Sequence, residues 1–294
     1  MKKRKFATIL LAATMVISSL TGCGKDSDSE GFDTSAEINV LTRESGSGTR
    51  GAFIELFGIE EKNAEGKKVD NTIASAEETN STAVMITTVE GNKNAIGYIS
   101  LGSLKSSVKA LKVDGVEATA ENVKNGTYKV SRPFNIAVND EVSDAAKEFI
   151  KFIMSSEGQA VINEAGYVGA DDAEAYKATE GISGKIVVGG STSVSPVMEK
   201  LAEAYASYNS DIEIELQPTD STSGMSNAID GTYDIGMASR DLKDEEAESL
   251  TSYTIALDGV AVIVNKENTM ENITSEQVKN IYTGSVKKWS DVID

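Results

Sequence analysis

One local pattern occurs twice in the chain, and it restricts the possible folds more than any other feature. Each copy begins with an apolar run that predicts a strand, continues with a loop rich in Gly, Ser and Thr, and ends in helical spacing of apolar residues. The copies cover residues 38–57 and 185–205. Other strand and helix patterns alternate between and after them, which favours sheets covered by helices. The repeat therefore predicts two similar α/β lobes.

The loop of the first copy has the composition of an oxyanion site. A loop between a strand and a helix N-terminus offers unpaired backbone N–H groups and the positive end of the helix dipole. Gly46 and Gly48 let the backbone approach a ligand closely, while Ser47 and Thr49 add hydroxyl donors. Arg43, just before the loop, can supply a charge-assisted fork. An oxyanion is therefore the ligand that this loop favours.

Two further loops offer the same groups. The second copy contributes Thr192 and Ser193, and a third loop around Ser221 precedes another predicted helix. A single Ser/Thr–Gly loop is usually only a turn with a helix cap, but three of them, with an arginine beside one, favour a binding site. The first loop is not a nucleotide-binding P-loop, because Thr49 and Arg50 stand where that motif requires Lys followed by Ser or Thr.

Composition excludes several classes of chemistry. The chain has no histidine and one cysteine, which excludes Ser-His-Asp and Cys-His catalysis, disulfides and metal sites built on those residues. The 46 acidic and 28 basic residues give a net charge of −18, so there is no basic field to attract nucleic acid. We expect no cofactor, no metal and no nucleic-acid partner. An acidic binding protein remains, or an enzyme based on Ser, Thr, Arg and carboxylates.

The first residues carry a targeting signal. A basic start and a short apolar stretch predict a signal peptide over residues 1–22. It runs into the sequence LTGC, which resembles a bacterial lipobox and implies that Cys23 is lipidated and begins the mature chain. Residues 23–36 then form the lipidated cysteine and a flexible tether at the outer face of the cell membrane. Cleavage removes four positive charges and leaves −22. The alternative is an ordinary signal peptide with a chance cysteine.

Several longer runs of the sequence resemble one family of proteins. They are residues 42–50, 96–100, 132–134, 190–194, 234–240 and 256–265. In these runs the chain resembles the phosphate-binding lipoproteins of bacterial high-affinity phosphate ABC transporters. The resemblance covers essentially the whole mature chain. It implies a two-lobed α/β fold of the periplasmic-binding-protein type II class. Such a receptor is not an enzyme: it is a monomer that closes on inorganic phosphate and delivers it to ABC permease subunits for import.

The resemblance also implies which residues hold phosphate between the lobes. From one lobe they are Thr192, Ser193 and Ser221, and from the other they are Arg43, Ser45, Ser47, Gly48 and Thr49. Arg43 would be the main charge partner of the anion.

Position 240 departs from the family pattern. Better-known members have a carboxylate there, which accepts a hydrogen bond from protonated phosphate, whereas this chain has Arg240. We expect Arg240 either to contact the anion or to pair with Glu44. Selectivity for phosphate over sulfate would then depend on another acid, such as Glu44 or Asp220.

The order of the family's runs is rearranged in this chain. In the family the run at 190–194 comes first, and the run at 42–50 follows the region at 289–292. The chain therefore resembles a circular permutation. The alternative is that it is part of a longer product with a further lobe after Asp294.

The rearrangement implies definite lobe boundaries. One lobe would comprise residues 37–132 with 265–294, the other residues 134–264, with crossings near 132–134 and 264–266. The two pieces of the split lobe must then pair, which would bring Asp294 close to Glu37.

Two other functions remain open. A receptor for sulfate or molybdate would share the fold and the physics of the site. A surface hydrolase that uses Ser or Thr would need a general base, and the sequence offers none that is obvious.

Overall fold

Strands and helices alternate through residues 31–293, the part of the chain that the computed structural model describes. This part contains thirteen strands and nine α-helices. The strands are β1 (Asn39–Arg43), β2 (Glu60–Lys62), β3 (Lys68–Asp70), β4 (Glu77–Thr79), β5 (Ala95–Ser100), β6 (Val108–Ala110), β7 (Lys112–Val113), β8 (Ser131–Val138), β9 (Gly184–Ser191), β10 (Ile212–Thr219), β11 (Ile235–Ala238), β12 (Thr251–Asn265) and β13 (Asn272–Ile273). The helices are α1 (Gly48–Leu56), α2 (Thr82–Gly91), α3 (Ala120–Lys124), α4 (Asp144–Ile153), α5 (Ser156–Glu164), α6 (Ser195–Ala206), α7 (Ser221–Ile229), α8 (Asp244–Ala247) and α9 (Ser275–Tyr282).

Nine strands of the described chain form one mixed sheet. Its order is β10-β9-β11-β8-β12-β5-β1-β4, and β6 also pairs with β12. The repeated units behave alike: β9 pairs in parallel with β10 and β11, and β1 pairs in parallel with β4 and β5. The long antiparallel strands β8 and β12 lie between these two parallel groups.

Strand β12 belongs to both halves of the molecule. Its first part, residues 251–259, pairs with β8, and its second part, residues 260–265, pairs with β5 and β6. We call residues 131–259 the continuous lobe, and residues 32–130 with 260–293 the split lobe.

Each lobe has its own apolar core. In the continuous lobe, helix α4 buries Phe149 and Ile153 against β8 and β9, as its helical spacing predicts. In the split lobe, Phe53 of α1 stacks on Tyr98 of β5 with ring centroids 3.9 Å apart, and Tyr282 meets the same ring at 4.7 Å. The two-lobed α/β fold predicted from the sequence is confirmed.

Strand β12 changes its pairing partner before the lobe crossing expected near 264–266, a boundary that stays a prediction. The change of pairing partner falls between Gly259 and Val260. The apolar run from Val260 to Val264 has no turn residue, so it continues as one buried strand into the split lobe. The other crossing, at the start of β8 at Ser131, lies close to the expected one at 132–134.

The first and last described segments of the chain pair with each other in the split lobe. Ile38 N donates to the Lys287 carbonyl at 2.8 Å, and Glu37 forms an isolated antiparallel bridge with Lys288. Ser290 N donates to the Thr34 carbonyl at 2.6 Å. Residues 32–36, which we expected to be part of a flexible tether, therefore lie against the end of the chain.

The targeting features lie mostly outside the structural description. The predicted signal peptide, Cys23 and Asp294 are not among residues 31–293. Within these residues, no helix has both the length and the apolar character that crossing a membrane requires.

The Trp289 side chain anchors the contact between the first and last described segments of the chain. We therefore expect Trp289→Ala to destabilise the fold by about 4 kcal/mol. The indole is fully buried, its Nε1–H donates to the Asn94 carbonyl at 3.2 Å, and Phe32 packs edge-on against it at 5.7 Å. Urea unfolding measures the loss. Tyr208→Ala, at an aromatic ring that is 48% exposed, should cost about 1 kcal/mol or less; equal losses would contradict the anchoring role of Trp289.

Candidate anion-binding site

The first Gly/Ser/Thr loop leads directly from β1 into α1. Ser47 is the N-cap of α1, and its hydroxyl accepts a hydrogen bond from Arg50 N at 3.3 Å. The backbone N–H groups of Gly48 and Thr49 open the helix, so they have no partner within its first turn. The loop therefore presents buried donors together with the positive end of α1.

Arg43, the last residue of β1, spans the gap between the lobes. Its Nε and Nη2 donate to the two carboxylate oxygens of Glu44 at 2.8 and 2.6 Å. Nη2 also donates to Thr192 Oγ1 of the continuous lobe at 3.0 Å. The Arg43 side chain is only 3% exposed. The charge of Arg43 is therefore neutralised by Glu44, and its guanidinium is also hydrogen-bonded to the opposite lobe.

Hydroxyl groups of both lobes meet beside Arg43. Ser193, just after β9, lies 2.7 Å from the hydroxyl of Thr49, oxygen to oxygen, and 3.3 Å from that of Thr82. The N–H of Thr82, at the start of α2, donates to Thr192 Oγ1 at 3.4 Å. The start of α1, the start of α2 and the loop after β9 thus bring their hydroxyl groups together beside Arg43, next to the N-terminus of α2.

Gly48 faces a second pair of hydroxyls across the interface. A Cβ atom on Gly48 would lie 2.5 Å from Ser221 Oγ and 2.8 Å from Ser239 Oγ. Ser221 begins α7, and Ser239 N donates to its hydroxyl at 3.1 Å. Ser191 Oγ donates to Ser239 Oγ at 3.0 Å. Only a residue without a side chain leaves these hydroxyls accessible to a ligand at the α1 N-terminus.

These groups define what the site can bind. It offers one guanidinium, several hydroxyls and the N-termini of α1, α2 and α7, all of which stabilise negative charge. Among residues 31–293, no cluster of three or more acidic, Cys or His side chains could hold a metal ion. The chemistry of these groups therefore favours a small anion as the ligand.

The structure brings most of the predicted site residues together. Those that meet at the interface of the lobes are Arg43, Gly48, Thr49, Thr192, Ser193 and Ser221, and Ser47 caps α1 beside them. Ser45 is not among them, because it lies in the exposed turn before the helix cap.

Arg240 does not pair with Glu44, so that predicted pairing is wrong. Its Nη1 and Nη2 donate to the two oxygens of Glu246 at 2.7 and 2.8 Å. Glu246 reaches back to the start of its own helix α8, where Lys243 N donates to it at 2.9 Å. The aliphatic part of Arg240 lies near Gly48 while its charge is directed to α8.

Burial opposes ionisation of Glu246, yet hydrogen bonds from Arg240 and from the Lys243 backbone outweigh it. They lower the pKa of this carboxyl below its ordinary value of 4.5. Asp220 is also hydrogen-bonded within the protein: its oxygens accept from the backbone N–H and hydroxyl of Ser223 at 2.9 and 2.6 Å. The acids around the site are therefore engaged with protein donors.

Three residues of the site were missed in the sequence. Thr82 lies at the start of α2, and a hydroxyl residue at a helix N-terminus is the same signal that marks Thr49. Ser191 and Ser239 lie within runs on which the family resemblance rests; Ser191 ends β9 and Ser239 directly follows β11, and the sequence predicts only Thr192 and Ser193 as candidates from the loop that also holds Ser191.

Two α/β lobes with an enclosed polar site between them are the architecture of a solute-binding protein. Comparison with known proteins agrees with this class. The PBP superfamily domain matches residues 27–157 and 175–294.

Relatives that align over nearly their whole length identify the family within this class of solute-binding proteins. Phosphate-binding protein PstS 2 of Streptococcus agalactiae serotype V is 51% identical over 295 residues, 99% of each chain. Phosphate-binding protein PstS 2 of Streptococcus pneumoniae serotype 4 is 42% identical over 290 residues, 98% of this chain and 99% of that one. A crystal structure of a phosphate ABC transporter phosphate-binding protein from Streptococcus pneumoniae TIGR4 has 44% sequence identity and a TM-score of 0.69, covering 88% of this chain and all of that one. The chain belongs to the PBP superfamily and, within it, to the PstS family of phosphate-binding proteins.

The pairing of Arg240 with Glu246 predicts a pH-dependent contribution to stability. Because the pKa of Glu246 is lowered in the folded state, its stabilisation is present above about pH 4.5 and disappears as the pH falls through the lowered pKa. Glu246→Gln should therefore lose about 2 kcal/mol at pH 7, measured by urea unfolding, and the difference from the unaltered protein should shrink in acid.

The neighbouring change Glu245→Gln is the matched control, since this side chain is 80% exposed and lies 4.0 Å from Lys243. It should leave the free energy of unfolding nearly unchanged at every pH. A constant difference between Glu246→Gln and the unaltered protein from pH 7 to pH 3 would contradict the assignment.

Proposed function

We propose that the protein captures inorganic phosphate between its lobes and delivers it to an ABC permease for import. The observation that carries this proposal is the enclosed set of donors from both lobes around Arg43. Phosphate is tetrahedral, so it can be held from several directions at once by a guanidinium, hydroxyls and helix N-termini. The names of the PstS relatives support the same ligand.

The residues of each lobe would take complementary parts. Thr192, Ser193 and Ser221 would donate from the continuous lobe, and Arg43, Ser47, Gly48 and Thr49 from the split lobe. We add Thr82, Ser191 and Ser239 to this set because they contact its members. We leave Ser45 and the charge of Arg240 out, since one is exposed and the other is paired with Glu246.

The acidic surface does not prevent anion binding. The mature chain would carry a net charge of −22, but repulsion from distant surface charges is screened beyond about 8 Å at physiological salt. Micromolar affinity needs only about 8 kcal/mol, and a few hydrogen bonds to a charged ligand, each worth about 1.5–3 kcal/mol, are sufficient.

A receptor for sulfate or molybdate is the second candidate. The observation that favours it is Arg240 at a position where a carboxylate would repel a fully deprotonated anion. Serine and threonine hydroxyls can both donate and accept, so Ser221 and Ser239 could still accept the hydrogen of protonated phosphate.

Delivery requires that the receptor stay near the membrane. We propose that residues 1–22 are removed and that Cys23 carries the lipid that holds a monomeric receptor at the outer face of the cell membrane. The sequence LTGC supports this cleavage and modification.

Isothermal titration with inorganic phosphate tests the function. The unaltered chain should bind, whereas Gly48→Ala should weaken binding by about 100-fold, because a Cβ at 2.5 Å from Ser221 Oγ blocks the α1 N-terminus. Gly51→Ala in the same helix is the matched control: nothing lies within 4 Å of its Cβ, so affinity should stay within about twofold.

The same titration separates the alternatives. Arg43→Ala should abolish measurable binding, because it removes the only guanidinium that contacts Thr192 of the opposite lobe among the described residues. Tighter binding of sulfate or molybdate than of phosphate would replace the proposed ligand, and equal binding by Gly48→Ala and Gly51→Ala would refute the proposed site.

The anchor is tested separately. Cys23→Ala should release the protein from the membrane fraction of the cells that make it, since an unlipidated chain lacks the anchor that holds it. Fractionation followed by immunoblotting measures the shift. If Cys23→Ala stays in the membrane fraction as fully as the unaltered protein, the proposed lipid is not what holds it there.

A further inference from the structure

The anion site is closed, so a ligand can enter only if the lobes move, and the hinge between them then affects binding. The side chains that would contact phosphate are almost completely buried, with Thr49, Ser193 and Ser221 each at most 1% exposed. A solute can reach them only if the lobes separate and then close again. If the proposed function is correct, affinity therefore depends on the cost of closing as well as on contacts with the ligand.

The hinge contains a buried charge that is shared by the two lobes. Asp258 of β12 accepts from Arg132 Nε and Nη2 at 3.2 and 3.1 Å on one oxygen. Its other oxygen accepts from Ser100 Oγ at 2.8 Å and Leu101 N at 3.1 Å, both of the split lobe. Both acceptor atoms of the carboxylate are therefore occupied when the lobes are together.

Three polar atoms beside this carboxylate make no hydrogen bond of normal geometry, although the Tyr167 hydroxyl faces those of Ser100 and Ser103. Among residues 31–293, five buried side-chain polar atoms lack a hydrogen bond, and three of them are Ser103 Oγ, Arg132 Nη1 and Tyr167 Oη. We call Ser103, Arg132 and Tyr167 the hinge cluster. Burial, and the charge of Asp258, raise the pKa of Tyr167 to about 12, so its hydroxyl keeps its proton and remains a donor. A buried donor without an acceptor destabilises the arrangement that buries it.

Tyr167 is placed between the lobes rather than inside one of them. Its ring packs on Phe134 of the continuous lobe with centroids 5.2 Å apart. On the other side it lies against Gly102 of the split lobe so closely that a Cβ there would be 2.1 Å from Tyr167 Cζ. Separation of the lobes would part Gly102 from this ring and give the hydroxyl access to water.

We propose that the hinge cluster favours the open arrangement of the empty receptor, so that it sets the affinity for phosphate without touching the ligand. The unsatisfied donors disfavour the closed form only. Tyr167 and Ser103 are thus positioning residues, and removing either hydroxyl should make closure easier.

The first test is phosphate titration of the full-length Tyr167→Phe and Ser103→Ala variants. Each change removes one hydroxyl of the hinge cluster and should lower the phosphate Kd by about three- to tenfold. Tyr205→Phe is the matched control. Tyr205 also carries a buried hydroxyl without a hydrogen bond of normal geometry, but it faces only groups of the continuous lobe, so its loss should leave Kd unchanged.

The second test blocks the contact between the lobes. Gly102→Ala should weaken phosphate binding at least about tenfold by keeping the lobes apart, and Tyr167→Ala in the same chain should restore it. Loss of melting temperature with unchanged Kd in Gly102→Ala would show a static contact and overturn the proposal, as would unchanged affinity in both hydroxyl variants.

Small-angle X-ray scattering without ligand keeps the inference separate from the proposed function. Empty Tyr167→Phe should have a smaller radius of gyration than the empty unaltered chain, and Gly102→Ala a larger one. This comparison holds even if the unaltered chain binds no phosphate in the titration. Identical radii for all three proteins would refute the hinge inference by themselves.

Discussion

The ion pair between Arg132 and Asp258 is the interaction on which the arrangement of the lobes depends. The two residues lie opposite each other on β8 and β12, the strands through which the chain passes between lobes. Both side chains are at most 2% exposed, and loss of one partner from such a pair typically costs about 3–5 kcal/mol. Because Ser100 and Leu101 bond to the same carboxylate, one charge orients parts of both lobes, and the anion site depends on that orientation.

The proposed site would allow an acidic protein to hold an anion. Its donors are strand ends and helix starts, so the backbone of each lobe supplies positive potential that does not depend on surface charge. The repeat of strand, Gly/Ser/Thr loop and helix places one such set in each lobe, and the mixed sheet brings Gly48 against Ser221 and Ser239. Affinity and net charge are therefore separate properties of this chain, because the first is set within a few ångströms of the ligand.

Much of the fold, and the proximity of most candidate site residues, could be predicted from the sequence, because local patterns encode them. Gly48 and Thr49 were recognisable from their loop, and α4 from its apolar face. The hairpin of β2 and β3 was missed because its short strands are mostly charged. The partner of Arg240 was not predictable either, since Glu246 becomes its neighbour only once the chain folds into α8 and brings the two side chains together. Likewise, an uninterrupted apolar strand hides the position at which β12 changes lobes.

The adjacency of Arg43 and Glu44 has a consequence for the receptor in the absence of its solute. Since the guanidinium carries its own counterion, the lobes can meet around an empty site without burying an isolated positive charge. Electrostatic repulsion at the site therefore does little to prevent the lobes from closing without a ligand. A transporter that recognised any closed receptor would spend energy on empty cycles, so the proposed resistance to closure at the hinge would add to the ligand contacts in separating loaded from unloaded protein.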